Sequence, residues 1–406
     1  MNDMDHDKIS LLNQNPKIVK CLYYNQELSS TDISLYTGKS IPHTIKVLNE
    51  LVKDGCVIEN GYGSSSGGRR ALNYSLVLDT YYIVSVAMSQ FYVQLAVLDM
   101  NNSFVAEVVQ YDLDLHTYDA QMLLNCINKF IEEAPVDKSQ MIGVGITMPG
   151  FIDTEKGINY TFLKGEESLS DYLQNGISLP VFLENDSTAI ALGEQKFGVA
   201  VHQDDAMIVN LGWGIGLGMI VDGKIFRGHS GMAGEFSHIP LVRNGKLCEC
   251  GKQGCLETEA SLIAITAKAV EELEGGQKSG LGNYEVVNAD AIIEEAIKGD
   301  VLSVKLISEA AYHVGQALAI LIHIMNPATI VLSGKGSIVG KLWLSPIQQA
   351  INEHCIPRLA HDTQLIISNL HSRAQLIGGA VLIVENIGTP LETKGNALDD
   401  RATATT

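Results

Sequence analysis

The spacing of hydrophobic and polar residues changes character near residue 80. Before that point, Ile9, Leu12, Ile18, Val19 and Leu22 recur at helical intervals and predict a helix over residues 8–25. Ser29-Ser30-Thr31-Asp32 is an N-cap cluster for a short second helix that ends at Gly38. Ser40 caps a third helix. Its Pro42 stands in the first turn, where a missing N–H costs little, and Ile45, Leu48, Leu51 and Val52 form its inward stripe. A Thr37-Gly38-Lys39 turn joins the last two helices into a helix-turn-helix. Val57-Ile58-Glu59 and Leu72-Asn73-Tyr74-Ser75-Leu76 predict two strands, with GYGSSSGGRR between them as a flexible hairpin tip carrying Arg69 and Arg70. Residues 1–76 thus have the outline of a winged helix-turn-helix domain.

Past residue 80, YYIVSVAM, YVQLAVLDM and FVAEVVQYDL read as three strands, followed by a helix over 118–133 and a buried strand, MIGVGITMPG. VFLENDSTAIALGEQKFG is a strand that enters a helix through Asn185-Asp186. AMIVNLGWGIGLGMIVDGKIF opens a second set of paired strands. Amphipathic helices are predicted over 260–273, 286–298 and 302–325, then strand ATIVLSG, a helix over 338–353, strand LIISNL and a helix over 371–387. Two strand meanders, each followed by helix–strand units, predict a duplicated α/β architecture. GTPLETKGNALDDRATATT has no apolar period, so 389–406 is expected to be a disordered tail.

With 46% hydrophobic and 18% charged residues among 406, the chain can fill large cores, which excludes a disordered protein. No run of about 18 uncharged apolar residues predicts a membrane span. The polar, acidic start lacks the apolar core of a secretory signal, so a cytoplasmic location is expected. The net charge is −19, but it is unevenly spread. Residues 1–75 carry eight basic and eight acidic side chains, and without Asp3, Asp5 and Asp7 they are +3; the whole deficit lies beyond them. A mildly basic module on an acidic body points to two tasks in one chain.

Three of the seven cysteines fall within eight residues. Cys248, Cys250 and Cys255 form C-x-C-x4-C, with His238 ten residues upstream. Three thiolates and an imidazole make a closed tetrahedral shell, the donor set of one structural zinc per chain with no open position for water activation. The alternative is three unligated thiols beside a surface histidine.

GMAGEFSH (231–238), CECGKQGCLE (248–257) and LEND (183–186) resemble the ROK family of sugar kinases and sugar-responsive repressors. The resemblance spans about residues 80–387. The N-terminal winged helix is the addition found in the repressor branch, whose members respond to N-acetylglucosamine, glucose or xylose. It implies an α/β, actin-like (RNase H-like), two-lobed body: a first lobe over 80–200, to which the 371–387 helix returns, and a second over 201–370 with the zinc motif. It also implies a sugar in the interlobe cleft, held by Asn185, Asp186, Glu235, His238 and Glu257, with Gly150 lining the pocket. Carboxylates suit this task because each accepts charge-assisted bonds from two hydroxyls. His238 would give one ring nitrogen to zinc and the other to the sugar. The competing reading of these carboxylates is a set of solvated loop charges, and for Asp186 a helix N-cap. Ser237 replaces the family's glycine, which could shift sugar preference.

Family kinases hold phosphate on an Asp-x-Gly-x-Thr turn. The corresponding residues here are Ala87, Ser89 and Phe91, and Trp213 stands where kinases usually carry threonine in the second glycine turn. Bare N–H groups and room are both missing from such a turn, so no kinase activity is expected and Asp186 would be a sugar ligand without a base's role. Gly334-Lys335-Gly336 resembles the family's adenosine-side turn. The third helix would enter the major groove with Lys39, Ser40, His43, Thr44 and Lys46 exposed, while Arg69 and Arg70 touch phosphate or the minor groove. The expected protein is a regulator of carbohydrate metabolism, a repressor acting as a homodimer or homotetramer on an inverted-repeat operator and controlled by a sugar or sugar phosphate. Two alternatives are an active kinase of hexoses or N-acylhexosamines with a DNA-binding head, and a regulator whose cleft is empty and which answers to a protein partner.

Overall fold

The computed structural model describes residues 12–62, 71–165 and 168–389. Ile9, the wing arginines Arg69 and Arg70, and the expected tail beyond Thr389 lie outside the described residues. The chain divides into two compact units, one of Met1–Thr80 with Val384–Thr406 and one of Tyr81–Ile383.

In the smaller unit, α1 (Pro16–Asn25) begins at its proline. The helix expected over 8–25 is interrupted at Asn15, because Pro16 has no N–H to continue a turn. Helix α2 (Ser30–Thr37) is capped by Ser29, whose hydroxyl accepts from the Asp32 N–H at 3.2 Å, and stops at Gly38 with φ 67°. Helix α3 (Ile41–Lys53) follows. Its inward face is Thr44, Val47, Leu48 and Leu51, whereas Ile45 is exposed. That corrects the expected stripe: Thr44, Val47, Leu48 and Leu51 keep the unbroken i, i+3, i+4, i+7 spacing, and centring on Ile45 leaves Val47 in water. Strands β1 (Leu28–Ser29), β2 (Val57–Tyr62) and β3 (Leu72–Leu76) form an antiparallel sheet in the order β1-β3-β2. Glu385 also belongs to this unit; its carbonyl accepts from Lys20 Nζ at 2.6 Å and its carboxylate from the Tyr24 hydroxyl at 2.7 Å.

The larger unit holds two sheets of one design. The first lobe contains β4 (Tyr82–Met88), β5 (Tyr92–Asp99), β6 (Val109–Asp112), α4 (Ala120–Glu133), β7 (Met141–Met148), the small hairpin β8 (Ile152–Asp153) and β9 (Ile158–Asn159), α5 (Leu169–Ile177) and β10 (Val181–Asn185). Its main sheet runs β10-β7-β4-β5-β6. Helix α6 (Asp186–Phe197) then leads into β11 (Ala206–Leu211), β12 (Ile215–Val221) and β13 (Lys224–Ile225). Next come α7 (Glu257–Ala260), α8 (Leu262–Glu274), α9 (Ala289–Lys298), α10 (Val301–Met325), β14 (Thr329–Ser333), α11 (Lys341–His354), α12 (Pro357–Asp362), β15 (Gln364–Ile367) and α13 (Ala374–Glu385). The second sheet runs β13-β12-β11-β14-β15, the same order as the first when counted from its own first strand. In both, an antiparallel meander of three strands is extended by two parallel strands. Separate apolar cores lie on the two sheets, one around Val84, Leu95 and Ile146, the other around Val209, Leu318 and Trp343. Among the described residues, no helix is long and apolar enough to cross a membrane.

Helices α6 and α13 cross between the sheets at unusually short range. A methyl group added at Gly193 would meet the Ala374 carbonyl oxygen at 2.6 Å, and one at Gly378 would overlap that of Ala189. The start of α13 is tied to the first sheet by the Ser85 hydroxyl, which donates to the Leu376 carbonyl at 2.7 Å, and by Gln375, whose amide donates to the Met88 carbonyl at 3.1 Å. Gly378→Ala is expected to destabilise the protein by about 1–3 kcal/mol, because backbone and not a flexible side chain must move. A shift of the urea midpoint at unchanged slope would register it.

Candidate functional site

The chain leaves the first sheet at Asn185 and enters α6 at Asp186, so this junction sits at the point where the two lobes meet. The Asn185 carboxamide oxygen accepts from the Ser187 and Thr188 N–H groups at 3.0 and 3.2 Å and is the true cap of α6. Its Nδ2 donates to the Gly150 carbonyl at 3.2 Å. Gly150 has φ 101°, and a side chain there would press on Thr161 and Asn159. Asp186 is therefore not needed as the cap. Its Oδ1 accepts from the Ser187 N–H at 2.8 Å, and burial pushes its carboxyl above the ordinary aspartate value.

The second lobe supplies the facing groups. After β13 the chain forms a loop closed by the Ala233 N–H on the Arg227 carbonyl at 3.1 Å, and this loop delivers Glu235 and a single 3-10 turn, Phe236–His238. Glu235 is raised by burial and by the neighbouring charge of Asp186. Glu257 starts α7; its Oε2 accepts from the Ile215 N–H at 3.1 Å, and burial raises it too, against the opposing pull of that N–H, His238 and the Ser237 hydroxyl. Gly150, Asn185, Asp186, Glu235, His238 and Glu257 all line one cleft of about 950 Å³. Three carboxyls made reluctant to ionise by desolvation stand beside an imidazole and a carboxamide and offer a surface rich in acceptors. Such a surface fits a neutral, hydroxyl-rich ligand.

His238 faces two ways. Its Nδ1 lies 3.6 Å from Cys248 Sγ, and its Nε2 lies 3.8 Å from Glu235 Oε2 on the cleft side. Cys250 and Cys255 are 3.7 Å apart, sulfur to sulfur, and all four donor atoms lie within 4.8 Å of one another. For ligands about 2.0–2.3 Å from a tetrahedral metal, donor-to-donor edges of roughly 3.5–3.8 Å are required, and the His238–Cys248 and Cys250–Cys255 edges have that length. His238, Cys248, Cys250 and Cys255 can hold a metal ion.

The turn between β4 and β5 is built differently. Ala87 is buried in β4. The Ser89 hydroxyl accepts from the N–H groups of Phe91 and Tyr92 at 3.2 and 3.1 Å, which occupies the donors that a phosphate turn must leave free. Phe91 stands edge-on to Trp213 with ring centres 4.6 Å apart. Lys335 Nζ lies 5.5 Å from the Trp213 ring centre and 5.6 Å from that of Tyr92, and pairs with Asp290 at 2.7 Å.

In the smaller unit, Lys39, Ser40, His43 and Lys46 are exposed around the turn and first half of α3. Ser40 stands at the cap position but makes no side-chain cap bond. Thr44 corrects the expected set: it is buried, with its hydroxyl unpartnered, and faces the core instead of solvent. Sequence reading also missed the supporting residues Asn159, Ser187 and Arg227. For Arg227 a signal existed, since Glu184 is an acid inside an otherwise apolar strand and must find a cation.

The ROK family profile matches residues 84–386. The chain belongs to the ROK family. The xylose repressor of Caldicellulosiruptor bescii is 29% identical over 382 residues, covering 91% of this chain and 95% of that protein. A solved ROK family transcriptional regulator, a homologue of the E. coli MLC protein, superposes with a TM-score of 0.74 at 26% identity, covering 95% of this chain and 97% of the other. A ROK family glucokinase from Streptomyces griseus, solved with glucose and AMPPNP, gives 0.65 at 28% identity over 74% of this chain and 98% of its own. The body is thus the α/β, actin-like ROK fold. The kinase matches a smaller share of the chain than the regulator does.

Proposed function

We propose that this ROK protein is a sugar-responsive transcriptional regulator, a repressor whose operator affinity falls when the cleft closes on a sugar or sugar phosphate. The observation that carries this reading is the contrast within one cleft. All six sugar-type residues line the cleft, whereas in the turn after β4 Ser89 takes up the N–H groups of Phe91 and Tyr92, and Phe91 packs on Trp213. On this reading Gly150, Asn185, Asp186, Glu235, His238 and Glu257 hold the sugar. The same reading makes the chain a regulator in place of a kinase, since the Ser89 hydroxyl takes up the Phe91 and Tyr92 N–H groups of the turn after β4. Zinc is the metal that suits one histidine and three cysteines; bound by His238, Cys248, Cys250 and Cys255 it would hold the His238 ring in place and leave its Nε2 to the sugar.

The N-terminal unit is read as a winged helix that places α3 in the major groove, with Lys39, Ser40, His43 and Lys46 toward DNA and the wing bearing Arg69 and Arg70 along the backbone. Two such heads in a homodimer or homotetramer would read an inverted repeat. Coupling between sugar and operator of about 1–3 kcal/mol is sufficient for control. The test is an electrophoretic shift on an operator selected from random duplexes, titrated with D-xylose, D-glucose and their phosphates, with ATP as a further arm. Release by one sugar and indifference to ATP are expected; phosphorylation of a sugar would instead restore the kinase reading. Lys39→Ala with Lys46→Ala is expected to weaken operator binding and to lower the slope of log K against log salt by about 1 for each phosphate no longer neutralised. A slope equal to that of the unaltered protein would remove α3 from the DNA.

A further inference from the structure

The two sugar-bearing segments come from different sheets, and one ion pair joins them. Glu184 is the last residue but one of β10, directly before Asn185 and Asp186. Arg227 follows β13 and closes the base of the loop that delivers Glu235 and His238. The Arg227 guanidinium meets the carboxylate fork to fork: Nη1 donates to Oε1 at 2.9 Å and Nη2 to Oε2 at 2.5 Å. The Glu184 side chain is 2% exposed, and its Oε1 also accepts from the Asn185 N–H at 2.9 Å. So the carboxylate accepts three bonds from donors of both lobes, one of them the backbone of the residue that caps α6.

We propose that Arg227 and Glu184 form a closure latch, which sets the distance between the Asn185–Asp186 and Glu235–His238 halves of the effector site without touching the effector. The proposal rests on the reading of the cleft as a sugar site. Three features separate a latch from ordinary surface pairing. The pair ties the strand end that carries Asn185 and Asp186 directly to the base of the loop that carries Glu235 and His238. Its geometry is bidentate, so it fixes angle as well as distance. It is also short of water on the carboxylate side, where losing the partner strands a buried charge. The latch residues are positioning residues, and their effect must appear in effector affinity and in its link to operator release more than in the binding of DNA alone.

The test uses the full-length, metal-loaded protein with Arg227→Lys, Arg227→Ala and Glu184→Gln. D-Xylose and D-glucose binding is measured by calorimetry, and operator affinity with and without the sugar that binds. Arg227→Ala is expected to weaken the sugar at least about tenfold, with operator affinity in the absence of sugar within about twofold of the unaltered protein. Arg227→Lys keeps the charge but loses the fork, and should fall between. It also keeps the question open to measurement if the alanine variant does not fold. Equal sugar affinity in the lysine and alanine variants and the unaltered protein would overturn the latch alone. Failure of the unaltered protein to bind either sugar would overturn both the latch and the sugar reading beneath it.

Discussion

Cys248→Ser is expected to abolish metal binding at the His238 cluster and to lower the thermal midpoint markedly. The four candidate ligands do not come from one element: His238 ends a 3-10 turn, and Cys248, Cys250 and Cys255 lie on a small knuckle closed by isolated bridges Pro240–Cys255 and Leu247–Gln253. Little apolar area holds this knuckle, since Leu247 is exposed and only Cys248 and Cys255 among its thiols are buried. A bound ion would therefore be its principal cross-link. Structural zinc contributes on the order of 10 kcal/mol to domains that depend on it wholly, and here a fraction of that, about 3 kcal/mol, is expected to be lost. Metal content by mass spectrometry and the midpoint of unfolding should fall together. Cys355→Ser is the control, a buried thiol of the second core outside this knuckle's motif, and should retain the metal. One equivalent of metal kept by Cys248→Ser would remove that residue from the ligand set.

The second large effect is expected at Asp186. Asp186→Ala should reduce sugar affinity about 100-fold, because a carboxylate accepting from two hydroxyls contributes charge-assisted bonds of about 1.5–3 kcal/mol. The fold should survive, since Asn185 and not Asp186 caps α6. Retained helicity with lost sugar binding separates the two roles open to this residue. Unchanged sugar affinity, measured by calorimetry, would leave Asp186 as a bystander. Burial holds the Asp186 carboxyl above the ordinary aspartate value. The accepting, ionised form is then lost at a higher pH than for a free aspartate, so sugar affinity should decline on acidification before the exposed carboxylates titrate.

Much of this arrangement is legible in the chain itself. The duplicated meander shows in alternation and in glycine turns, and the cluster of His238 with Cys248, Cys250 and Cys255 shows in spacing alone, because short cysteine intervals have few other uses. The helical period is less informative in α3. Thr44, a residue that could face either way, completes the inward stripe, and Ile45 breaks the habit that isoleucine is buried. Pairings between distant segments are not legible at all. Nothing near Glu184 names Arg227 as its partner, and nothing near Ser89 shows that its hydroxyl turns back on the Phe91 and Tyr92 amides. Such contacts depend on where two lobes place their loops, which no local pattern encodes.

Trp213 and Trp343 are the two tryptophans of this protein. Trp343 is sealed in the second core, with its indole N–H on the Gly336 carbonyl at 2.8 Å. Trp213 lies against an aromatic edge and an ammonium group, with its own N–H unpartnered. The intrinsic fluorescence of the molecule is therefore split between one dry, fixed emitter and one set at the mouth of the lobes beside a quenching charge. Only the latter's brightness and colour are tied to the state of the cleft.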